Sequence, residues 1–190
     1  MGILSFLKNV ERARRKGRYD AQSRAFETAC TALTKDDIAI DCGANVGVYT
    51  TMMADSGACI FAFEPNPVAF AKLREKTAAY PNVRLFNAAV STESGNVRLY
   101  MHKRARLDPL LYSVSSSTMA TKTNVDAHSF EDVESIVLAD FIESLECPVK
   151  LLKMDVEGAE IGLLNQLLDR ELHNRLNRAL SRFMTAEYLS

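Results

Sequence analysis

The chain has no excess of positive charge and no long apolar segment, and each absence excludes a class of protein. Its 23 Lys and Arg residues are matched by 24 Asp and Glu residues, which leaves a net charge of −1. A protein without a broad positive field is poorly suited to grip a phosphate backbone, so we expect no nucleic-acid partner. The apolar run in residues 1–10 is too short for a signal peptide or a membrane-spanning helix. We therefore expect no stable membrane insertion.

Cysteine is also scarce, with four residues and neither a C-x-x-C pair nor a histidine at metal-ligand spacing. Thiols in apolar strands pack as small hydrophobic groups, so we expect reduced cysteines and a cytoplasmic protein. With 190 residues and 47% hydrophobic content, the chain can bury one sizeable core. We predict a helical segment over residues 1–34 and one α/β domain over residues 35–190. The basic residues at 8–18 favour a solvated helix face over a membrane-surface helix, because Gly17 interrupts a narrow apolar face.

Short apolar runs alternate with helical patterns from Asp37 onward. The runs "DIAID", "CIFAFE" and "VRLFNAAV" predict strands, with one helix through Ala54 and another from Pro67 to about Ala79 between them. This βαβαβ order is typical of a parallel sheet with helices on its faces. The carboxyl ends of such strands share one edge, where ligands bind. Asn66 and Pro67 predict the start of the second helix, and Gly57 predicts the end of the first.

The pattern changes after the third strand. "SGN" at residues 94–96 predicts a hairpin turn before the half-exposed strand "VRLYMHK". Residues 104–128 are polar and weakly patterned, which predicts a long loop over a site. "VESIVLADFIESL" then predicts a strand entering a short helix. "VKLLKMDVEGAE" predicts a buried strand ending in acids, followed by a helix from about Ala159 into the 170s, and "RFMTAEYL" predicts a last strand.

An acid and a glycine-rich turn join the first strand to the first helix in "IDCGANVG", residues 40–47. Such turns are general nucleotide-cofactor devices. A dinucleotide turn needs glycine where Asn45 stands, and Asp41 would lie beside the pyrophosphate, so both features argue against a dinucleotide. S-adenosylmethionine carries an ammonium group and a sulfonium ion, which a nearby carboxylate favours. Glu64, 21 positions after Gly43, is suited to accept hydrogen bonds from both ribose hydroxyls.

Each of the two acids has a second interpretation when taken alone. Asp41 could cap the first helix, and Glu64 could be an exposed acid at a strand end. Together, at this spacing and in this order, they favour a site for S-adenosylmethionine.

Four blocks of the sequence resemble the FkbM-type S-adenosylmethionine-dependent methyltransferases. The blocks are "IDCGANVGVYT", "FAFEPNP", "NAAVS" and "LLKMDVEGAE", of which "KMDVEGAE" is the most specific. The resemblance implies a class I methyltransferase fold, a three-layer Rossmann-like α/β sandwich whose mostly parallel sheet has the order 3-2-1-4-5 and an inserted β-hairpin. It also implies methyl transfer from S-adenosylmethionine, usually to a hydroxyl of a sugar or another polar small molecule.

The resemblance further implies a set of cofactor-binding residues. In it, the glycine turn with Asp41 holds the methionine part, Glu64 holds the ribose, and the residues from Asn66 onward lie near the adenine. The full set is Asp41, Gly43, Ala44, Asn45, Gly47, Glu64, Pro65, Asn66, Asn87 and Ala88.

Asp155 and Glu157 end the fourth parallel strand, close to where the methyl group would lie. Methyl transfer needs a base for one hydroxyl proton only, and Asp155 is the first candidate, with Glu157 second. Asp155 could instead cap the helix that follows, or be neutralised by Lys153 on the same strand face. Together with Glu160 the two acids could bind Mg²⁺, but transfer to an ordinary alcohol does not require a metal, and we expect none.

The three histidines are expected on the surface or in packing. Among His102, His128 and His173, only His128 is a catalytic candidate, because its predicted loop would cover the acceptor. Residues 115–117, three serines in the same loop, are candidate acceptor contacts or part of a flexible linker.

Two other functions are compatible with the sequence. A nicotinamide-dependent oxidoreductase shares the strand order and the ribose acid but lacks the third glycine. A methyltransferase-like binding module without activity would keep the cofactor site.

The end of the chain departs from the family pattern. Family members normally continue past the strand that matches "RFMTAEYLS" with further strands. We therefore expect this strand, with Phe183, Met184 and Tyr188, to form an open edge that favours a homo-oligomer.

Overall fold

Five parallel strands form the main sheet of the computed structural model, which describes residues 23–102, 125–156, 158–177 and 179–181. The strands of the molecule are β1 Ile38–Cys42, β2 Cys59–Phe63, β3 Val83–Phe86, β4 Ala89–Ser91, β5 Gly95–His102, β6 Val125–Val137, β7 Val149–Met154 and β8 Ala179–Ser181. The main sheet has the order β3-β2-β1-β7-β8, and each neighbouring pair in it is parallel. The predicted order 3-2-1-4-5 is confirmed.

Helices cover both faces of the main sheet. They are α1 at residues 23–31, α2 Val48–Ala54, α3 Pro67–Thr77, α4 Leu138–Ser144, α5 Glu160–Asp169 and a 3-10 helix Leu172–Arg175. Along β1, Ile40 and Cys42 lie in a core with α4 and α5, whereas Ala39 lies in a second core with α1 and α2. Because side chains alternate across a strand, the two cores lie on opposite faces. The described residues therefore form the three layers of a class I methyltransferase fold, as expected.

A second sheet of three strands, in the order β4-β6-β5, is inserted between β3 and β7. β5 and β6 are antiparallel, which confirms the inserted hairpin, whereas β4 and β6 are parallel. The predicted hairpin turn at residues 94–96 is wrong, because β6 lies between β4 and β5. The buried hydroxyl of Ser135 lies 2.9 Å from the carbonyl oxygen of Glu93 and so ties the β4–β5 connection to β6.

Residues 125–128, predicted as the end of a long loop, belong to β6, which begins at Val125 and pairs with β5. His128 consequently lies in a strand and not in a loop. Residues 103–124, with the three candidate serines, lie outside the described residues.

Most of the predicted element ends are confirmed. Asn66 accepts hydrogen bonds from Val68 N and Ala69 N as the cap of α3, and Pro67 is the first residue of that helix. Gly57, with φ of 81°, follows α2 and donates its N–H to the carbonyl of Ala54. α3 ends at Thr77, two residues before the predicted end.

Three predictions at other element ends are changed. "VRLFNAAV" is divided into β3 and β4, because the chain leaves the main sheet at residues 87–88. The helix predicted into the 170s ends at Asp169 and is followed by the 3-10 helix. The predicted strand "RFMTAEYL" lies outside the described residues, and β8, directly before it, occupies the fifth position of the sheet.

Among the described helices, none combines the length and the apolar character that a bilayer crossing requires.

Candidate functional site

The turn between β1 and α2 folds back onto the carboxyl end of β2. Gly43, Asn45 and Gly47 have positive φ values of 76°, 50° and 82°, which reverse the chain within five residues. The N–H groups of Gly43 and Ala44 both donate to the carbonyl of Phe63, at 3.0 and 2.9 Å. The turn is therefore held by backbone hydrogen bonds at the edge where ligands bind in sheets of this kind.

Gly43 of this turn is required by a backbone contact within the protein, and Gly47 is favoured mainly by its positive φ. A Cβ atom at Gly43 would overlap the backbone carbonyl of Asp155, which follows β7. A Cβ atom at Gly47 would lie 2.8 Å from Cδ1 of Leu73 in α3. The sequence-based reason for glycine was close approach to a ligand, and the structure adds close approach of neighbouring elements.

Glu64 joins the glycine turn to the start of α3. Its side chain is buried, with 6% exposure, and its two carboxylate oxygens accept from the N–H groups of Asn45 and Asn66, both at 2.8 Å. Burial raises the pKa of this carboxyl to about 7, and the two backbone hydrogen bonds only partly oppose that rise. The interpretation of Glu64 as an exposed strand-end acid is wrong.

The end of β3 is tied to the same point. Asn87 is exposed, and its side-chain amide donates to the carbonyls of Glu64 and Pro65, at 2.8 and 3.2 Å. Ala88 beside it is buried, with 2% exposure. The side chain of Asn66 caps α3. The carboxyl ends of three adjacent strands therefore meet around Glu64.

Asp41 lies beneath the glycine turn and is fully buried. One carboxylate oxygen accepts from the hydroxyl of Thr50 at 2.7 Å, and the other accepts from Nζ of Lys153 at 2.8 Å. Asp41 does not cap α2, whose N-cap is Gly47 without a side-chain hydrogen bond. The helix-cap interpretation of Asp41 is therefore wrong.

Asp155 follows β7, and its N–H donates to the carbonyl of Cys42 at 2.9 Å. It does not cap α5, whose N-cap is Ala159 without a side-chain hydrogen bond. The ion pair of Lys153 is with Asp41, at 2.8 Å, so neutralisation of Asp155 by Lys153 stays an alternative interpretation. Asp155 does contribute, after Asp41, to raising the pKa of Lys153.

Glu160 holds the turn that follows Asp155. Its buried carboxylate accepts from the N–H groups of Val156 and Gly158, at 3.1 and 2.8 Å. The second base candidate, Glu157, lies outside the described residues. The described part of the chain holds no group of three His, Cys, Asp or Glu side chains that could bind a metal ion. Of the histidines, His102 lies in β5 and His173 in the 3-10 helix.

Lys153 and Thr50 are the residues that the sequence analysis did not connect with Asp41. A usable signal existed in the strand order, since "IAIDC" and "VKLLKM" are neighbours in it and each holds one charged residue at or near its carboxyl end. Two opposite charges in adjacent buried strands pair unless another partner is nearer. Thr50 gave no comparable signal, because one hydroxyl in a helix has many possible acceptors.

The model of the methyltransferase FkbM domain matches residues 41–178, a region that contains the contacts of the candidate site. The chain belongs to this family.

Two curated relatives of this FkbM-family domain are similar over most of its length. The 31-O-demethyl-FK506 methyltransferase FkbM of Streptomyces tacrolimicus is 30% identical in an alignment of length 162 that covers 73% of this chain and 62% of that protein. The hexuronic acid methyltransferase AglP of Haloferax volcanii is 29% identical in an alignment of length 133 that covers 68% of this chain and 49% of that protein. This chain thus spans about half to three fifths of the length of these relatives.

Among solved structures, an rRNA methylase from Streptococcus thermophilus aligns with a TM-score of 0.46 and 10% identity, over 80% of this chain and 63% of that one. This score bears on neither substrate nor partner, so the absence of a nucleic-acid partner stays a prediction.

Proposed function

We propose that this FkbM-family domain binds S-adenosylmethionine across the carboxyl ends of β1, β2 and β3 and transfers a methyl group to a hydroxyl of a sugar or another polar small molecule. The observation that carries the proposal is the junction at Glu64. A buried carboxylate there connects the glycine turn to Asn66, and Asn87 completes the junction from β3.

The chemistry of Glu64 suits a ribose diol. Two backbone N–H groups leave further acceptor capacity on its carboxylate, and the raised pKa shows that these donors do not offset burial. Two ribose hydroxyls would supply the missing donors. The glycine turn would face the methionine part, and Asp41 would support that turn from beneath. The residues near the adenine would be Pro65, Asn66, Asn87 and Ala88.

The bound cofactor would supply a methyl group on positively charged sulfur. The task of the chain would then be to hold the acceptor hydroxyl in line with that group and to accept its proton. Asp155 follows the strand next to β1 and is in backbone contact with Cys42 at the start of the glycine turn. We propose Asp155 as the base and Glu157 as the second candidate.

The acceptor class is supported by the two relatives, whose names describe methylation of a hexuronic acid and of the 31-oxygen of an FK506 precursor. A cytoplasmic location is supported by the four free cysteines.

The cofactor-binding part of the proposal is tested with Glu64→Ala. We expect the dissociation constant for S-adenosylmethionine to rise by a factor equivalent to about 1.5–3 kcal/mol, because a charge-assisted contact to the ribose is lost. Isothermal titration measures the constant, and unfolding measured in parallel shows that the variant is folded. Glu75→Ala is the control, since Glu75 is exposed in α3 and pairs only with Lys72 among the described contacts. A dissociation constant equal to that of the parent would show that Glu64 does not contact the cofactor.

The base is tested with Asp155→Asn, once a screen of saccharides and polar metabolites with methyl-labelled cofactor has found an acceptor. We expect kcat to fall far more than cofactor affinity, because the amide keeps the shape of the side chain but cannot take the proton. Turnover within a few-fold of the parent would show that Asp155 positions groups without accepting a proton.

The two rival functions give different results in these experiments. A nicotinamide-dependent oxidoreductase would bind NAD and not S-adenosylmethionine. Membership of the FkbM family already disfavours this oxidoreductase function. An inactive binding module would bind the cofactor and transfer no label to any acceptor in the screen.

A further inference from the structure

A buried ion pair joins the two central strands of the main sheet directly behind the glycine turn. Asp41 and Lys153 are register partners on β1 and β7, and Nζ of Lys153 lies 2.8 Å from a carboxylate oxygen of Asp41. The side chain of Asp41 is 0% exposed and that of Lys153 is 9% exposed. Burial lowers the pKa of Lys153, but the charge and hydrogen bond of Asp41 outweigh it, so the pKa lies above its ordinary value. The ion pair and the raised pKa both favour the ammonium form of Lys153 at neutral pH.

Lys153 also holds the backbone of the turn itself. Its ammonium group donates to the carbonyl oxygen of Gly43 at 2.8 Å. The ring of Tyr49, in α2, lies 5.3 Å from Nζ on another side of the same group. One ammonium ion thus contacts the strand before the turn, the turn and the helix after it.

Strand pairing does not explain this arrangement. β1 and β7 are already joined along five register positions by backbone hydrogen bonds. A buried ion pair costs desolvation energy, and apolar side chains of similar size stabilise a sheet centre as well or better. The contact that apolar side chains could not make is the hydrogen bond to Gly43, whose left-handed conformation sets the direction of the turn.

We propose that Lys153 is a positioning residue of the cofactor site. It fixes the carbonyl of Gly43, and so the glycine turn, and it cancels the charge of Asp41. On this basis Asp41 acts as the anchor of Lys153 and is not the counter-ion of the cofactor's ammonium or sulfonium group. The inference rests on the proposed binding of S-adenosylmethionine at this turn.

Four proteins test the inference: the parent, Lys153→Met, Asp41→Asn and the double variant. The dissociation constants of S-adenosylmethionine and S-adenosylhomocysteine are measured for each by isothermal titration at pH 8.5. The two ligands share every group except the methyl that gives sulfur its positive charge, so a merely structural change alters both constants by the same factor. Lys150→Met is the control, because Lys150 lies on the same strand without contact to Asp41 or to the turn in the described structure.

We expect Lys153→Met to raise both constants about tenfold or more, as for the loss of a hydrogen bond from a charged group. The uncompensated Asp41 should also shift the preference at least about threefold towards the charged ligand. Asp41→Asn should shift it in the opposite direction. The double variant carries no unpaired buried charge, so it should fold and recover the preference of the parent. It should still bind both ligands weakly, because the carbonyl of Gly43 lacks its hydrogen bond from Lys153.

Two results would overturn the inference. If all folded variants show the same ratio of the two constants as the parent, the ion pair does not act on the charge of the ligand. If the double variant binds as tightly as the parent, Lys153 only neutralises Asp41 and does not position the turn. A parent protein that binds neither ligand would instead refute the proposed function itself.

Discussion

The carboxyl group of Glu64 lies where its charged form is disfavoured. Burial raises its pKa from 4.5 to about 7, although the N–H groups of Asn66 and Asn45 pull the pKa in the other direction. Between these values the unfolded chain has released the proton that the folded protein still holds. Stability contributed by this group is therefore complete below the unfolded pKa and is lost as the pH rises through the folded one.

Glu64→Gln separates this effect from all other titrations. Between pH 4.5 and about 7, we expect the free energy of unfolding of the parent to fall relative to that of the variant, by at most about 3 kcal/mol. Urea unfolding at half-unit pH steps measures the difference, in which groups common to both proteins cancel. Identical pH dependence of the two proteins would contradict the raised pKa.

Individual residues were predictable where their type and position at a strand end restricted their role. Glu64 and Asn87 stand at the carboxyl ends of neighbouring strands, and both take part in the junction. The pairing of Asp41 with Lys153 had a signal only in the strand order, because the two residues lie far apart along the chain, and the contact of Asp41 with Thr50 had no such signal. Lys153 is 112 positions away, and its nearer acidic neighbour in sequence, Asp155, is not the partner in the ion pair.

Two glycines of this fold differ in whether their position requires glycine. In the turn after β1, Gly43 has φ of 76° and lies against the backbone of Asp155. In α5, a Cβ atom at Gly162 would meet only a methyl group of Thr92, at 3.8 Å. The turn requires glycine, and the helix only tolerates it.

We expect Gly43→Ala to lower the free energy of unfolding by about 3 kcal/mol or more, through overlap with a backbone carbonyl and a strained φ. Gly162→Ala is the matched control and should raise it by about 0.5–1 kcal/mol, because alanine favours the helix. Thermal or urea unfolding measures both changes. Equal effects of the two substitutions would contradict the packing described for the turn.

At the scale of elements, the ends of helices were predicted from local sequence more accurately than the pairing of the inserted strands. The cap of α3 and the end of α2 follow from residues close together in sequence, whereas the order of the parallel strands was implied by the resemblance to the family. The inserted sheet was mispredicted because β4 and β5 are close in sequence, whereas their common partner is β6. A turn signal such as "SGN" indicates that the chain reverses but does not show which strands then pair.

The described residues form a class I methyltransferase fold, and the chain spans part of the length of its curated relatives. β8 is the outermost strand on its side of the main sheet among the described residues. Exposed strand edges present backbone groups that can pair with another chain. The homo-oligomer stays a prediction. It rests on the edge position of β8 and on the apolar residues that follow β8 in sequence.

Sedimentation velocity between about 1 and 100 µM measures this association. We expect the sedimentation coefficient to rise with concentration, and we expect Met184→Lys to reduce the rise, because a lysine opposes edge pairing. Leu168→Lys, at an exposed position of α5, controls for the added charge. A single monomeric species at every concentration would show that no such association occurs.

The hydrogen bond between Lys153 and Asp41 also has a consequence for how the protein is made. It closes a loop of 112 residues at the centre of the sheet. A ribosome adding roughly 5–20 residues per second needs about 6–20 s to pass from one partner to the other. During that interval β1 lacks its neighbour on one side, and the carboxylate of Asp41 has no cation to accompany it into the interior. We therefore expect the nascent N-terminal strands to complete their packing only after β7 has been synthesised, which leaves time for chaperones to act on the chain.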